Sequence, residues 1–227
     1  MRKNLVLAVA LAGIAAFFPV TAQEASFFDI AASGTPGEVL AAIAKGADVA
    51  SRDEYNATPL MAAAANNPDP EVIMVFLDAG ADLEARGELK YTPLMYAAGH
   101  NPEPAVALTL VKAGASLEAL DEYDRTPMLI SAAFNENPAV AAFFLDQGFD
   151  IESTGELQYT PLLYAAGHNP EPKMISMLLK RGADVYARDE YDRTVLMIAA
   201  AFNENPDTLD VLLDEGELDV DEQTGGD

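Results

Sequence analysis

The residues best able to do chemistry in this chain are few. His100 and His168 are its only histidines, and each sits in the sequence Gly-His-Asn-Pro-Glu-Pro. Two acidic clusters, Asp121-Glu122-Tyr123-Asp124 and Asp189-Glu190-Tyr191-Asp192, offer carboxylates to a cation. A calcium loop needs an invariant turn glycine and a terminal glutamate at fixed offsets, and neither cluster supplies them. Cysteine is absent, so there is no thiolate nucleophile, no thiolate metal ligand and no disulfide framework. No Ser-His-Asp set falls in a plausible loop, and no phosphate loop or metal motif is present. Paired carboxylates are plentiful, but their spacing closes no two of them into one pocket. The chain is read as non-catalytic, with no catalytic, cofactor-binding or metal-ligating residue assigned.

The elements that must position these residues repeat. Gly-Ala-Asp or a close relative begins at Gly46, Gly80, Gly114, Gly148, Gly182 and Gly216, in steps of 34 residues. Thr58, Thr92, Thr126, Thr160 and Thr194 keep the same step, as do Pro36, Pro70, Pro104, Pro138, Pro172 and Pro206. A fixed period of this size implies a solenoid, in which each unit buries its apolar face by stacking on its neighbours. Within residues 53–86, Thr58 suits a helix N-cap and Pro59 the first helical position. Asn66-Asn67-Pro68-Asp69 breaks that helix, and Asp69-Pro70 starts a second one. Val72, Ile73, Val75, Phe76 and Leu77 give the second helix its apolar face, and Gly80 stops it. Asn56 sits where a tight turn needs a left-handed residue.

TPLMAAA, TPLMYAA, TPMLISA, TPLLYAA and TVLMIAA, each followed by a Gly-Ala-Asp-like stop, resemble the ankyrin-repeat pattern over roughly residues 25–218. The resemblance implies an all-α solenoid of stacked helix-turn-helix units joined by hairpin-like turns. The period is one residue longer than the family's usual one, and the extra residue lies between the two helices. The family's histidine after Thr-Pro-Leu is replaced by Met61, Met95, Leu129, Leu163 and Met197. That histidine ties the helix to its turn in the family, so apolar packing is expected to replace the tie and leave looser tips. The family's turn glycine is replaced by Asn56, Lys90, Asp124, Gln158 and Asp192. Lys90 and Gln158 are uncomfortable at positive φ, so alternate hairpins are expected to differ in shape.

The resemblance further implies that hairpin tips and first helices line a concave face where a protein partner docks. Carried over position by position, the tips are Glu54 and Tyr55, Glu88 and Leu89, Glu122 and Tyr123, Glu156 and Leu157, and Glu190 and Tyr191. The residue before each threonine adds Tyr91, Arg125, Tyr159 and Arg193, and the first-helix ends add Phe134 and Phe202 beside Asn66, His100 and His168. Glutamates next to aromatic rings suit recognition of a partner's Lys or Arg by ion pairing and cation–π contact. His100 and His168 fall two repeats apart, roughly 20 Å if each helix pair adds about 10 Å, and cannot share one metal ion.

A second period of 68 overlies the first: DEYNATP, DEYDRTP and DEYDRTV alternate with GELKYTP and GELQYTP. Duplication of a two-repeat unit explains it. The expected organisation is a signal peptide (1–22), an N-terminal capping repeat (23–52), repeats at 53–86, 87–120, 121–154 and 155–188, a C-terminal repeat (189–218) and an acidic tail (219–227). Arg2 and Lys3, the apolar run Leu5 to Phe18, and Val20-Thr21-Ala22 read as a secretory leader whose removal leaves Gln23 first. The run is too short to span a membrane. Export to a bacterial periplasm is favoured over an extracellular destination. After cleavage, 11 Lys and Arg face 37 Asp and Glu, a net charge of about −26. Nucleic acid and anionic membrane surfaces would be repelled. The sequence is read as an exported protein-binding module for a basic partner. The alternatives are an acidic scaffold without a single ligand and a binder of a cation or small molecule.

Overall fold

The computed structural model describes residues 25–216; the signal peptide and the acidic tail, expected at 1–22 and 219–227, lie outside the described residues. Twelve helices follow one another in pairs: α1 (Phe27–Ser33) and α2 (Pro36–Ala44), α3 (Pro59–Asn66) and α4 (Pro70–Asp78), α5 (Pro93–His100) and α6 (Pro104–Lys112). The series continues with α7 (Pro127–Phe134) and α8 (Pro138–Asp146), α9 (Pro161–His168) and α10 (Pro172–Lys180), α11 (Val195–Phe202) and α12 (Asp207–Glu215). Odd-numbered helices pack on one another in one layer and even-numbered helices in the other. A continuous apolar core runs between the layers from Ala31 to Leu212. The described residues form an all-α helical repeat.

The local signals act as their chemistry dictates. The hydroxyls of Thr58, Thr92, Thr126, Thr160 and Thr194 accept from the N–H three residues on, at 3.3 or 3.4 Å. Asp69 caps α4, where Val72, Ile73 and Phe76 are fully buried and Val75 and Leu77 half-buried. Gly46, Gly80, Gly114, Gly148 and Gly182 stop the second helices at positive φ, but Gly216 has φ −80°. Ser26 and Thr35 form capping boxes with Asp29 and Glu38, so the atypical first repeat is capped by its own side chains.

One feature of the inter-helix turn reaches further than breaking a helix. Asn67, Asn101, Asn135, Asn169 and Asn203 each donate through Nδ2 to two carbonyls of the preceding repeat; for Asn135 these are Ala98 at 2.8 Å and Asn101 at 2.9 Å. Each Oδ1 accepts from the N–H two residues on, holding the turn that starts the second helix. These side chains link the repeats in a ladder.

The 68-residue alternation has a packing cause. Asp53, Asp121 and Asp189 accept from the N–H groups two and four residues on, which shapes one hairpin type. The other type has Gly87 or Gly155 there, and no side chain to do this. A Cβ at Gly155 would lie 2.9 Å from the Tyr164 hydroxyl, and one at Gly87 would lie 3.1 Å from that of Tyr96. The backbone instead makes two successive left-handed residues, Leu89 and Lys90 or Leu157 and Gln158, so the hairpins do alternate in shape. Between repeats, Gly99 and Gly167 admit Ile130 and Ile198, whose Cγ2 atoms stand 3.0 and 2.9 Å from a built Cβ.

The tips are better tied than the missing histidine implied. The Met61 and Met95 sulfurs accept from the Thr58 and Thr92 N–H groups at 3.3 and 3.4 Å. Arg52 and Arg86 each bridge two carbonyls, one in their own hairpin and one a repeat further on. Neighbouring tips bond directly, from the Glu122, Glu156 and Glu190 N–H groups to the Leu89, Tyr123 and Leu157 carbonyls.

A deletion tests the two-repeat unit. Removing 87–154 sets like against like and should leave one cooperative thermal transition. Removing 87–120 alone puts Ala65 where Gly99 met Ile130, and Ala57 where Tyr91 met Arg125. The first change overpacks, at a cost of about 1–3 kcal/mol, and the second removes a partner of Arg125, so the longer chain should melt in two steps by circular dichroism. Indistinguishable melts would contradict the packing account.

Candidate functional site

The hairpin face presents Tyr55, Leu89, Tyr123, Phe134, Tyr191 and Phe202 as exposed apolar groups. Glu54, Glu88, Glu122, Glu156 and Glu190 are exposed beside them, with Leu157 and Arg193 half-buried. Tyr91, Tyr159 and Arg125 are only 7%, 5% and 8% exposed, so these three residues support the face from beneath and are not presented on it.

The support is an ion-pair network that occurs twice. Arg125 Nε donates to Asp121 Oδ2 at 2.8 Å, and its NH2 reaches the same carboxylate at 2.7 Å and the Tyr91 hydroxyl at 2.9 Å. Arg193 repeats this with Asp189 at 2.6 Å and Tyr159 at 3.1 Å. Each guanidinium also stacks between two exposed rings. Arg125 lies 5.0 Å from the Tyr123 centroid and 5.2 Å from that of Phe134; Arg193 lies 5.2 Å from Tyr191 and 5.5 Å from Phe202. This corrects one expectation. Four of the rings read as receivers of a partner's cation, Tyr123, Phe134, Tyr191 and Phe202, already hold the protein's own arginine. All four side chains nevertheless remain exposed to solvent.

Sequence reasoning missed the carboxylates beneath the arginines. It grouped Asp121 with Glu122 and Asp124 as a cation cluster, but the Asp121 side chain is fully buried and bonded to Arg125. A signal existed: Asp recurs four residues before Arg, with Tyr 34 residues before that Arg, in both copies. Among the described residues, no group of three or more His, Asp or Glu is placed to hold a metal ion.

Burial sets the protonation states. Burial would raise the Asp189 carboxyl, but hydrogen bonds from Arg193 and from backbone N–H groups hold it below the usual carboxylate range. Burial lowers His168, with Arg125 adding to the effect, and lowers His100, which is exposed yet recessed beside Tyr96; both are neutral at pH 7. Burial pushes Tyr91 up to about 12, against the opposing pull of Arg125. Tyr96, Tyr159 and Tyr164 are also raised by burial. A phenol raised in the folded state contributes stability that is complete below its ordinary value of 10.0 and is lost as pH climbs through the folded value. Helix loss should therefore accompany phenolate absorbance as pH rises from 10 toward 12. All eight tyrosines ionising near 10 with helices intact would contradict this.

The face has a shallow, solvent-open recess of about 620 Å³ around the Leu157 hairpin. Tyr159, Tyr164 and His168 lie within it, and Tyr123, Arg193 and Phe202 flank it. Among the described residues, no helix is long and apolar enough to cross a membrane.

A search of curated proteins finds no match. Among solved structures, a chain in the complex of a predatory endopeptidase from Bdellovibrio bacteriovorus with an immunity protein is similar, with TM-score 0.62 and 25% sequence identity. The likeness covers 84% of this chain and 97% of that one. The sequence profile described as ankyrin repeats, in 3 copies, matches residues 27–121, 60–155 and 128–224. Profile and helix pairs agree across nearly the whole described chain: it belongs to the ankyrin-repeat family.

Proposed function

We propose that this protein is an exported, non-catalytic binding module whose hairpin face, the concave side in the sequence reading, holds a protein partner presenting Lys and Arg. Ankyrin repeats are interaction modules, and a chain of similar fold occurs in an enzyme–immunity protein complex. The observation that carries the reading is the pair of Tyr–Arg–Phe stacks. Exposed rings fixed by ion pairs to a buried carboxylate are pre-organised anchors, and exposed glutamates stand beside them. Rigid aromatic anchors supply binding energy, whereas exposed carboxylates tune association rate and salt dependence.

Affinity capture on residues 23–227, at low and high salt, tests this. Tyr123→Ala with Tyr191→Ala should weaken the partner by about 2 kcal/mol or more, roughly 30-fold. The loss of two stacks on arginine should lower the melting temperature by only a few degrees, about 2–4 °C per kcal/mol. Glu122→Gln with Glu190→Gln should weaken capture mostly at low salt. Lys112→Ala with Lys173→Ala, on the outer helix layer, should leave capture intact. Loss of the partner in the lysine variant alone would place the interface on the outer helices.

A further inference from the structure

The hairpin face is corrugated. Its tips are Tyr55, Leu89, Tyr123, Leu157 and Tyr191, so a tall aromatic tip alternates with a short aliphatic one. Only the Leu157 tip has an arginine stack on both sides, Arg125 with Tyr123 upstream and Arg193 with Tyr191 downstream. At Leu89 the upstream wall is Tyr55 alone, because Ala57 and Asn66 occupy the positions of the arginine and the phenylalanine. The recess of about 620 Å³ at Leu157 is therefore a trough with two walls, open to solvent.

Building on the reading that this face binds a protein, we propose that the trough seats a single α-helix of the partner, with an apolar row against Leu157 and Lys or Arg along its flanks. The trough has the width of a helix. Packed helices lie about 8–10 Å apart, so walls two repeats apart stand roughly 16–20 Å from each other. Allowing for the thickness of the rings, the gap approaches the roughly 10–12 Å diameter of a helix with its side chains. Both arginines are already satisfied by Asp121, Asp189 and the two tyrosine hydroxyls, so the floor offers ring faces and Leu157 with no free cation. An acidic segment would find nothing to neutralise it there. Exposed Glu122, Glu156 and Glu190 stand on three consecutive tips, where flanking Lys or Arg of a seated helix would meet them.

Synthetic peptides of about five helical turns test the fit by fluorescence anisotropy on residues 23–227. One carries leucines along one helical face and lysines on its flanks. A second has the same composition with the leucines scattered round the helix. A third has glutamates in place of the lysines. The first should bind, and the other two should bind at least about tenfold more weakly. Leu157→Arg and Leu157→Asn should each weaken the first peptide about tenfold, and asparagine suits the left-handed backbone at this position, φ 62°. Met74→Arg, on exposed outer helix α4, should change nothing. Equal binding of the first two peptides, or wild-type binding by both Leu157 variants, overturns the trough. If Leu157→Arg still captures the natural partner while Tyr123→Ala with Tyr191→Ala loses it, the hairpin face stands and the trough is wrong. If neither captures less than wild type, the hairpin face itself is wrong.

Discussion

Asp121→Ala is expected to destabilise the protein by about 3–5 kcal/mol, because it strands a buried guanidinium. The Arg125 side chain is 10% exposed and that of Asp121 is fully buried. Asp121 also accepts from the Tyr123 and Arg125 N–H groups at 2.8 Å, so the hairpin loses its shaping bonds as well. The equivalent Asp189→Ala should cost roughly half as much, since water can reach a partly exposed guanidinium. Arg193 is 32% exposed at its side chain. Urea unfolding of the two variants gives the comparison directly. Equal and small losses would show that the network is ornamental to stability. A large Asp121 loss would establish it as the base on which Tyr123 and Phe134 are held.

The asparagine ladder carries the second large effect. Asn135 is 2% exposed and makes three hydrogen bonds, to Ala98, Asn101 and the Asn137 N–H. Each is worth about 1 kcal/mol net, and the carbonyls left behind are buried, so Asn135→Ala should cost about 2–4 kcal/mol. Asn203 makes the same bonds at the last described rung but is only half-buried. Water can replace part of what Asn203→Ala removes, so its cost should be nearer 1 kcal/mol. If the two variants unfold at the same urea concentration, the ladder is not what couples the repeats.

The features legible in the sequence were those with local causes. Thr58 and Pro59 start a helix through their own hydroxyl and ring, and Gly80 stops one through its own φ. The tip pattern and its alternation were visible for the same reason, as was the discomfort of Lys90 and Gln158. What escaped depends on tertiary contacts, several of them a full repeat apart. Asn135 reads as a helix breaker until its bonds to Ala98 and Asn101 are seen. Arg125 reads as a surface cation, because its burial needs Asp121 four residues back and Tyr91 in the preceding repeat. Nothing in the string GELQYTP marks Gly155 as making room for the hydroxyl of Tyr164 in the next helix. The family could thus be read from short motifs, while the construction of the candidate face could not.

The central claim is that a protein partner rests on the hairpin face. Amide hydrogen exchange on residues 23–227, with and without the captured partner, tests it most directly. A partner seated on this face should add protection at 121–125, 155–159 and 189–193, with none in α4, α6 or α8. Added protection confined to those outer helices, with the tips unchanged, would contradict it.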